Sequence, residues 1–251
     1  MLIDTHCHLD LLQPQESLLP LLDEAREAGI VQWVVPGISA QTWGVVAQLC
    51  KDLDGALPAY GIHPGYAAVS GPLQLEQLEA AARQAVAIGE IGLDVNCGNM
   101  PVQEFFFREQ IRIARRAGLP LLIHCRGAVG RLITVLREER ADQVGGIMHS
   151  FSGSVESAFD CIRLGFAISL SGTLTWEGAL RPARLASKLP VEHLVVESDA
   201  PDLAPQAFRG QQNQPAWLAL TVRKLSEIRG LSCQELVPLL TANSRRVLQL
   251  A

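Results

Sequence analysis

The sequence predicts an α/β protein, a (β/α)8 TIM barrel, on three observations. Short apolar runs alternate with longer amphipathic stretches from one end to the other, as repeated strand–helix units do. The length of 251 residues, nearly half of them apolar, suits one such barrel, and no linker, repeat or low-complexity tract divides the chain, so 1–251 is expected to be a single domain. Polar side chains suited to metal binding end the first, fourth, fifth, sixth and eighth runs. An open doubly wound sheet would leave these residues scattered, whereas a closed one brings every strand's C-terminal end to one mouth.

Taken in order, the first strand is expected at Leu2–His6, and a helix at Glu16–Ala28 stops at Gly29, which supplies a left-handed cap. The second, third and fourth strands are read at Gln32–Pro36, Ala56–His63 and Ala87–Leu93. A helix over Val102–Ala117 ends at Gly118, and the fifth strand, Leu119–His124, opens with a proline that cannot continue that helix. The sixth strand is Gly146–Ser150, followed by a helix at Val155–Leu164 with Gly165 as its stop. The seventh and eighth are Phe166–Ser171 and His193–Asp199, the latter after Leu189-Pro190. A long loop, Ala200–Gln214, lies at the mouth, where such loops gate or line sites. Helices at about Pro215–Arg229 and Ser232–Leu248 close the chain, the last being an extra C-terminal helix begun by a Ser232/Glu235 capping box.

A formal charge of −5 argues against a broadly basic nucleic-acid surface, though a local site could still take phosphate through metal ions. Six dispersed cysteines without a CxxC pair suit reduced thiols. Met1-Leu2-Ile3-Asp4 lacks the features of a signal peptide, and no stretch approaches the roughly 18 apolar residues of a membrane span. A cytoplasmic protein with no membrane association and no obligate protein partner is the expectation.

His6 and His8 share a strand face, so both imidazoles can reach one ion while Cys7 points away. Glu90 lies in the apolar run Ala87-Ile88-Gly89-Glu90-Ile91-Gly92-Leu93, where an unpaired charge would cost several kcal/mol in order of magnitude, so it needs a cation. His124, His149 and Asp199 each follow an apolar strand in the same way. Four histidines and two carboxylates suffice for two divalent ions, Mg2+, Mn2+ or Zn2+, if Glu90 bridges them. Such a pair supports hydrolysis at phosphorus. His63 reads either as a turn cap before Pro64 or as a group at the site.

These residues, in this order, resemble the TatD family of metal-dependent deoxyribonucleases within the amidohydrolase superfamily, and most closely its YjjV branch. The resemblance runs through Ile3-Asp4-Thr5-His6-Cys7-His8-Leu9-Asp10, Gly61-Ile62-His63-Pro64, Gly89-Glu90-Ile91-Gly92-Leu93-Asp94, Ile123-His124-Cys125-Arg126, His149-Ser150-Phe151-Ser152-Gly153 and Glu197-Ser198-Asp199-Ala200-Pro201-Asp202. A Ser171-Gly172-Thr173 segment and a Phe208-x-Gly210-x-x-Asn213-x-Pro215 loop carry the likeness to the branch. The resemblance implies that His6, His8, Glu90 and Asp199 hold one ion and Glu90, His124 and His149 the other. It makes Glu90 and Asp199 catalytic, with Asp199 orienting or deprotonating water, and puts His63 and Arg126 on the substrate phosphate. The implied reaction is cleavage of DNA phosphodiesters, as a 3′–5′ exonuclease on single-stranded ends. The alternative is a hydrolase of a small amide, ester or lactone. Three positions depart from the pattern: Gly127 where many relatives have aspartate, Gln214 where an acidic residue is frequent, and Val95-Asn96-Cys97-Gly98 in place of an aromatic stretch.

Other conspicuous residues read more plainly. His193 is expected at the far end of its strand as a surface or capping residue. Phe105-Phe106-Phe107 should divide between core and helix shoulder, Arg137-Glu138-Glu139-Arg140 should be a solvated helix end, and Trp176 should be a base contact or an aromatic lid.

Overall fold

The computed structural model describes residues 1–12 and 18–250. Eight strands are present: β1 (Leu2–Asp4), β2 (Ile30–Gly37), β3 (Ala56–Tyr60), β4 (Ala87–Asp94), β5 (Leu121–Arg126), β6 (Gly146–Met148), β7 (Phe166–Leu170) and β8 (Leu194–Val196). They stand in chain order and each pairs in parallel with the next. β1 and β8 are short, and backbone bonds beyond their ends draw the seam of the barrel together. Thr5 N–H donates to the Val196 carbonyl at 3.2 Å and Asp199 N–H to that of His6 at 2.9 Å.

Ten α-helices are described: α1 (Leu18–Glu27), α2 (Ala40–Asp52), α3 (Pro64–Ala67), α4 (Pro72–Ala81), α5 (Met100–Ala117), α6 (Val129–Glu138), α7 (Val155–Arg163), α8 (Leu180–Lys188), α9 (Leu218–Arg229) and α10 (Cys233–Val247). The expected start of the first helix, Glu16 with Ser17, lies outside the described residues. α5 stops where expected, at Gly118 with φ 70°, whose N–H reaches the Ala114 carbonyl. α10 has the expected capping box, Ser232 accepting from Glu235 N–H while the Glu235 carboxylate takes the Ser232 N–H. None of the described helices is long and apolar enough to cross a membrane.

One residue from each strand fills the barrel interior: Ile3, Val34, Ala59, Ala87, Leu122, Ile147, Ala167 and Val195. Val247 of α10 and Leu248 after it pack against this layer, so the extra helix helps to close the barrel. A second, larger apolar shell joins the outer strand faces to the helices and includes Trp33, Phe107 and Phe166.

Several expectations about placement are corrected. The first, third, sixth, seventh and eighth strands are shorter than the apolar runs: His6 and His8 lie past β1, His63 past β3, His149 one residue past β6 and Asp199 three past β8. The ladder ends there because the chain must leave it to turn inward over the mouth. The Arg137–Arg140 segment is not simply solvated. Glu139 is buried and receives Arg108 and Arg112 of α5, at 2.8 Å each, while Glu138 meets Arg108 at 2.5 Å. The three phenylalanines do divide, with Phe106 and Phe107 buried and Phe105 exposed, and His193 sits in a short 3-10 turn before β8.

Candidate metal centre at the barrel mouth

β4 places Glu90 at the centre of the site. The strand register shifts between Ile88 and Ile91, and the flanking glycines let neighbouring backbone come unusually close. A Cβ on Gly89 would stand 2.4 Å from that of Leu122, and one on Gly92, whose φ is 149°, would stand 1.8 Å from the His124 carbonyl oxygen. The run Gly-Glu-Ile-Gly thus presses β4 against β5 and sets Glu90 and His124 side by side, with Glu90 Oε1 2.8 Å from His124 Nδ1.

Both oxygens of Glu90 face imidazoles. Oε2 stands 3.4 Å from His6 Nε2 and 3.6 Å from His8 Nε2, while Oε1 faces His124, His149 Nε2 at 3.8 Å and His63 Nε2 at 3.8 Å. Asp199 Oδ1 completes the ring at 3.7 Å from His149, 3.8 Å from His6 and 4.0 Å from His8. His6 and His149 stack with centroids 3.7 Å apart. All six residues assigned to metal by resemblance therefore converge, and three overlapping triplets have ligand atoms close enough to share an ion: His6-His8-Glu90, His6-His149-Asp199 and His63-Glu90-His124.

His63 is the turn cap that its place before Pro64 led us to expect, and its ring also borders the site. It caps α3, its Nδ1 accepting from Gly65 N–H at 3.1 Å, and so presents Nε2 to Glu90. Arg126 ends β5, exposed, and lines a mouth cavity of about 700 Å3 together with His124, His149, Asp199 and Trp176. Cys7 points away into the core, as expected from alternation. Cys125 does so only in part, since it packs on the core yet also lines the cavity rim.

Sequence reasoning gave no role to the carboxylates that hold these imidazoles. Glu197 Oε1 lies 2.9 Å from His149 Nδ1 and accepts from Ser150 N–H at 2.6 Å. Asp94 Oδ2 lies 3.0 Å from His124 Nε2, its other oxygen accepting from Asn96 N–H. Asp4 Oδ1 accepts from Ser198 N–H at 2.9 Å and from His6 N–H at 3.3 Å, tying the β1 and β8 extensions together. Glu197 carried the same signal as Glu90, a carboxylate in an apolar strand. Two α5 glutamines brace the loops: Gln110 bonds both backbone groups of Ile62, and Gln103 both of Asp94.

The electrostatics of the protein residues alone are strained. Burial would raise the Glu90 carboxyl, but His6, His124 and His149 outweigh it and hold the group well below the usual range. Burial and the charge of His149 push His6 down to about 4, and burial also lowers His63 to about 4. Burial opposes charge on His149 too, yet Glu197, Asp199 and Glu90 together raise it to about 10. Burial, reinforced by Glu197 and Glu90, lifts Asp199 well above the ordinary carboxylate range. Meanwhile His6 and His8 turn Nε2 atoms toward each other at 3.2 Å with the Glu90 oxygen beside both. Converging nitrogen lone pairs and carboxylate oxygens need a cation. The nitrogen and oxygen donors fit a divalent ion of the Mg2+, Mn2+ or Zn2+ kind.

The chain's relatives are named as metal-dependent hydrolases. The family profile described as TatD related DNase matches residues 3–249. The uncharacterized metal-dependent hydrolase YabD of Bacillus subtilis (strain 168) is 33% identical over 254 residues, all of both chains. The uncharacterized metal-dependent hydrolase YjjV of Escherichia coli (strain K12) is 33% identical over 249 residues, covering 96% of this chain and 95% of that one. The crystal structure of YjjV superposes with a TM-score of 0.92 at 32% identity, covering 98% of this chain and 97% of the other. The site geometry and this full-length likeness agree: the chain belongs to the TatD family and is a metal-dependent hydrolase.

Proposed function

We propose that the enzyme hydrolyses phosphodiester bonds of DNA, as a 3′–5′ exonuclease on single-stranded ends, in the cytoplasm. The observation that carries this reading is the divided carboxylate of Glu90, one oxygen toward His6 and His8 and the other toward His124 and His149. That division suits two ions, one held by His6, His8, Glu90 and Asp199 and the other by Glu90, His124 and His149. Bound there, the ions would supply the Lewis acidity that lowers the pKa of water and neutralises charge on phosphoryl oxygens.

The chain's own residues do the rest. Asp199 takes the proton of the attacking water and holds that water in line with phosphorus. The new P–O bond forms as the bond to the 3′ oxygen breaks, and that oxygen takes a proton from solvent, releasing a 5′-nucleotide and a strand ending in a 3′ hydroxyl. Arg126 at the rim and His63 beside Glu90 donate to the non-bridging oxygens, where charge grows in the transition state. Glu197 and Asp94 fix His149 and His124 so that each presents its remaining nitrogen to the site.

The test is degradation of end-labelled single-stranded DNA with added Mg2+ or Mn2+. Laddering from the 3′ end, abolished in Glu90→Ala and Asp199→Ala, is the expected result. Unchanged cleavage by Glu90→Ala would remove the two-ion assignment. Hydrolysis of p-nitrophenyl esters or lactones without any of bis(p-nitrophenyl) phosphate or DNA would favour the small-substrate hydrolase instead.

A further inference from the structure

Beside the mouth lies a second cavity of about 520 Å3, between α7 and α8, that the hydrolytic centre does not use. Its cationic wall is one face of α8: Arg181, Arg184 and Lys188 are spaced three and four residues apart, so their side chains line up. Its apolar side is Val155 and Phe159, a helical turn apart on α7 and both half-buried. Glu156 is the single acidic residue of the lining.

The cations are uncommitted. Arg108, Arg112, Arg116, Arg131, Arg137 and Arg163 all meet carboxylates. Arg181, Arg184 and Lys188 meet none among the described residues, although acidic residues outnumber basic ones in the chain. Clustered like charges repel, and an anion seated among them removes that repulsion.

The cavity also borders the mouth, because chain neighbours line the two. Ser152 and Pro182 line the mouth cavity, and their chain neighbours Gly153 and Arg181 line this one. A linear polyanion that extends from the catalytic centre past Ser152 and Pro182 would come up against these cations.

We infer that this cavity is a strand-binding subsite for single-stranded DNA, holding a nucleotide away from the scissile bond. Arg181, Arg184 and Lys188 take its phosphate while Phe159 and Val155 receive the face of its base. Base–aromatic stacking and backbone neutralisation are the two ingredients of sequence-tolerant single-strand binding. The subsite rests on the DNA reading above, and it makes a demand that the hydrolytic centre does not: affinity should grow with strand length and fall with salt.

The experiment compares wild type with an Arg181→Glu/Arg184→Glu/Lys188→Glu variant. Binding of a fluorescent single-stranded oligonucleotide is followed by anisotropy in EDTA across a salt series, and turnover of bis(p-nitrophenyl) phosphate is measured with metal. The variant should bind the oligonucleotide at least about tenfold more weakly, with a salt slope shallower by about 1, as for one phosphate released. Its turnover of the small diester, which is too short to reach the subsite, should be unchanged, and this also reports an intact fold. Phe159→Ala should weaken oligonucleotide binding and leave the salt slope as it was. Equal oligonucleotide affinity and slope in the triple variant and wild type would overturn the subsite while leaving the DNA reading standing. A wild type that hydrolyses the small diester yet neither binds nor cleaves DNA would overturn both.

Discussion

The two ends of the barrel are built on opposite principles. Its interior floor is a ring of apolar side chains, one per strand from Ile3 to Val195, sealed by Val247 and Leu248. Its mouth buries Asp4, His6, His8, Glu90, His149, Glu197 and Asp199, each with no more than 9% of its surface exposed. The floor is stable in its own right because burial of apolar area alone favours it. The mouth gathers groups whose solvation is lost and whose charges are balanced only in part, and its complement is a cation. The strands thus supply a rigid frame from one end and spend its stability at the other.

The largest effect that would break this contrast is at Glu90. Glu90→Gln should lower hydrolysis by about 10³-fold or more, the scale expected when one member of a unit is removed, as single-turnover rates would show. Next in size, Leu122→Ala on the floor should cost about 2–5 kcal/mol in chemical denaturation, equally with and without metal, because it opens a cavity in the apolar layer and removes no ligand. A floor substitution that changed metal affinity as much as stability would dissolve the distinction between the two ends.

Within the mouth, Glu197→Gln should weaken metal binding by about 10–100-fold in a competition titration, since His149 would lose the group that orients its ring. A smaller effect is expected at His63. Its pKa is near 4 in the folded metal-free protein against 6.5 as the ordinary value, so the unfolded chain takes up the proton first as pH falls. The stability tied to neutral His63 is therefore present above pH 6.5 and lost between 6.5 and 4. Metal-free His63→Gln should gain on the wild type in melting temperature across that window. Smallest of all, Glu79→Gln removes an exposed partner of Arg116 and should leave the melting temperature where it was.

Much of the frame was legible because periodicity survives in a single sequence. Eight apolar runs gave eight strands, and the glycine stops and the Ser232/Glu235 box marked helix ends correctly. The convergence of His6, His8, Glu90, His124, His149 and Asp199 followed from putting strand ends around one mouth. What stayed hidden depended on contacts across long separations. Gln110 braces Ile62 from 48 residues away, and Glu139 is paired with Arg108 from 31 away. A carboxylate in an apolar strand announces that it needs a partner but not which one: Glu90 faces five imidazoles, whereas Glu197 serves His149.

Two of the three departures from the family pattern turn out to be one feature. Gly127 has φ 73°, and a Cβ there would meet Val95 Cγ2 at 2.6 Å. Val95, the first residue of the Val95-Asn96-Cys97-Gly98 stretch, thus packs where a side chain after Arg126 would otherwise stand, and the two positions shape the rim together. The third, Gln214, follows Asn213, whose buried amide donates to the Ser198 and Asp202 carbonyls at 2.7 Å and pins the long loop over the mouth. Trp176 belongs to the same construction. Its Nε1 donates to the Ala204 carbonyl at 2.8 Å and the Arg209 guanidinium lies 4.6 Å from its ring, so it is a fixed wall of the cavity.

The central proposal is that Glu90 would be shared by two ions. It is tested most directly by titrating metal-free protein with Mn2+ or Zn2+ and counting ions per chain. Wild type should bind two, and Glu90→Gln should lose high-affinity binding at both sites together. Two ions bound by Glu90→Gln with wild-type affinity, or a single ion in the wild type at saturation, would contradict it.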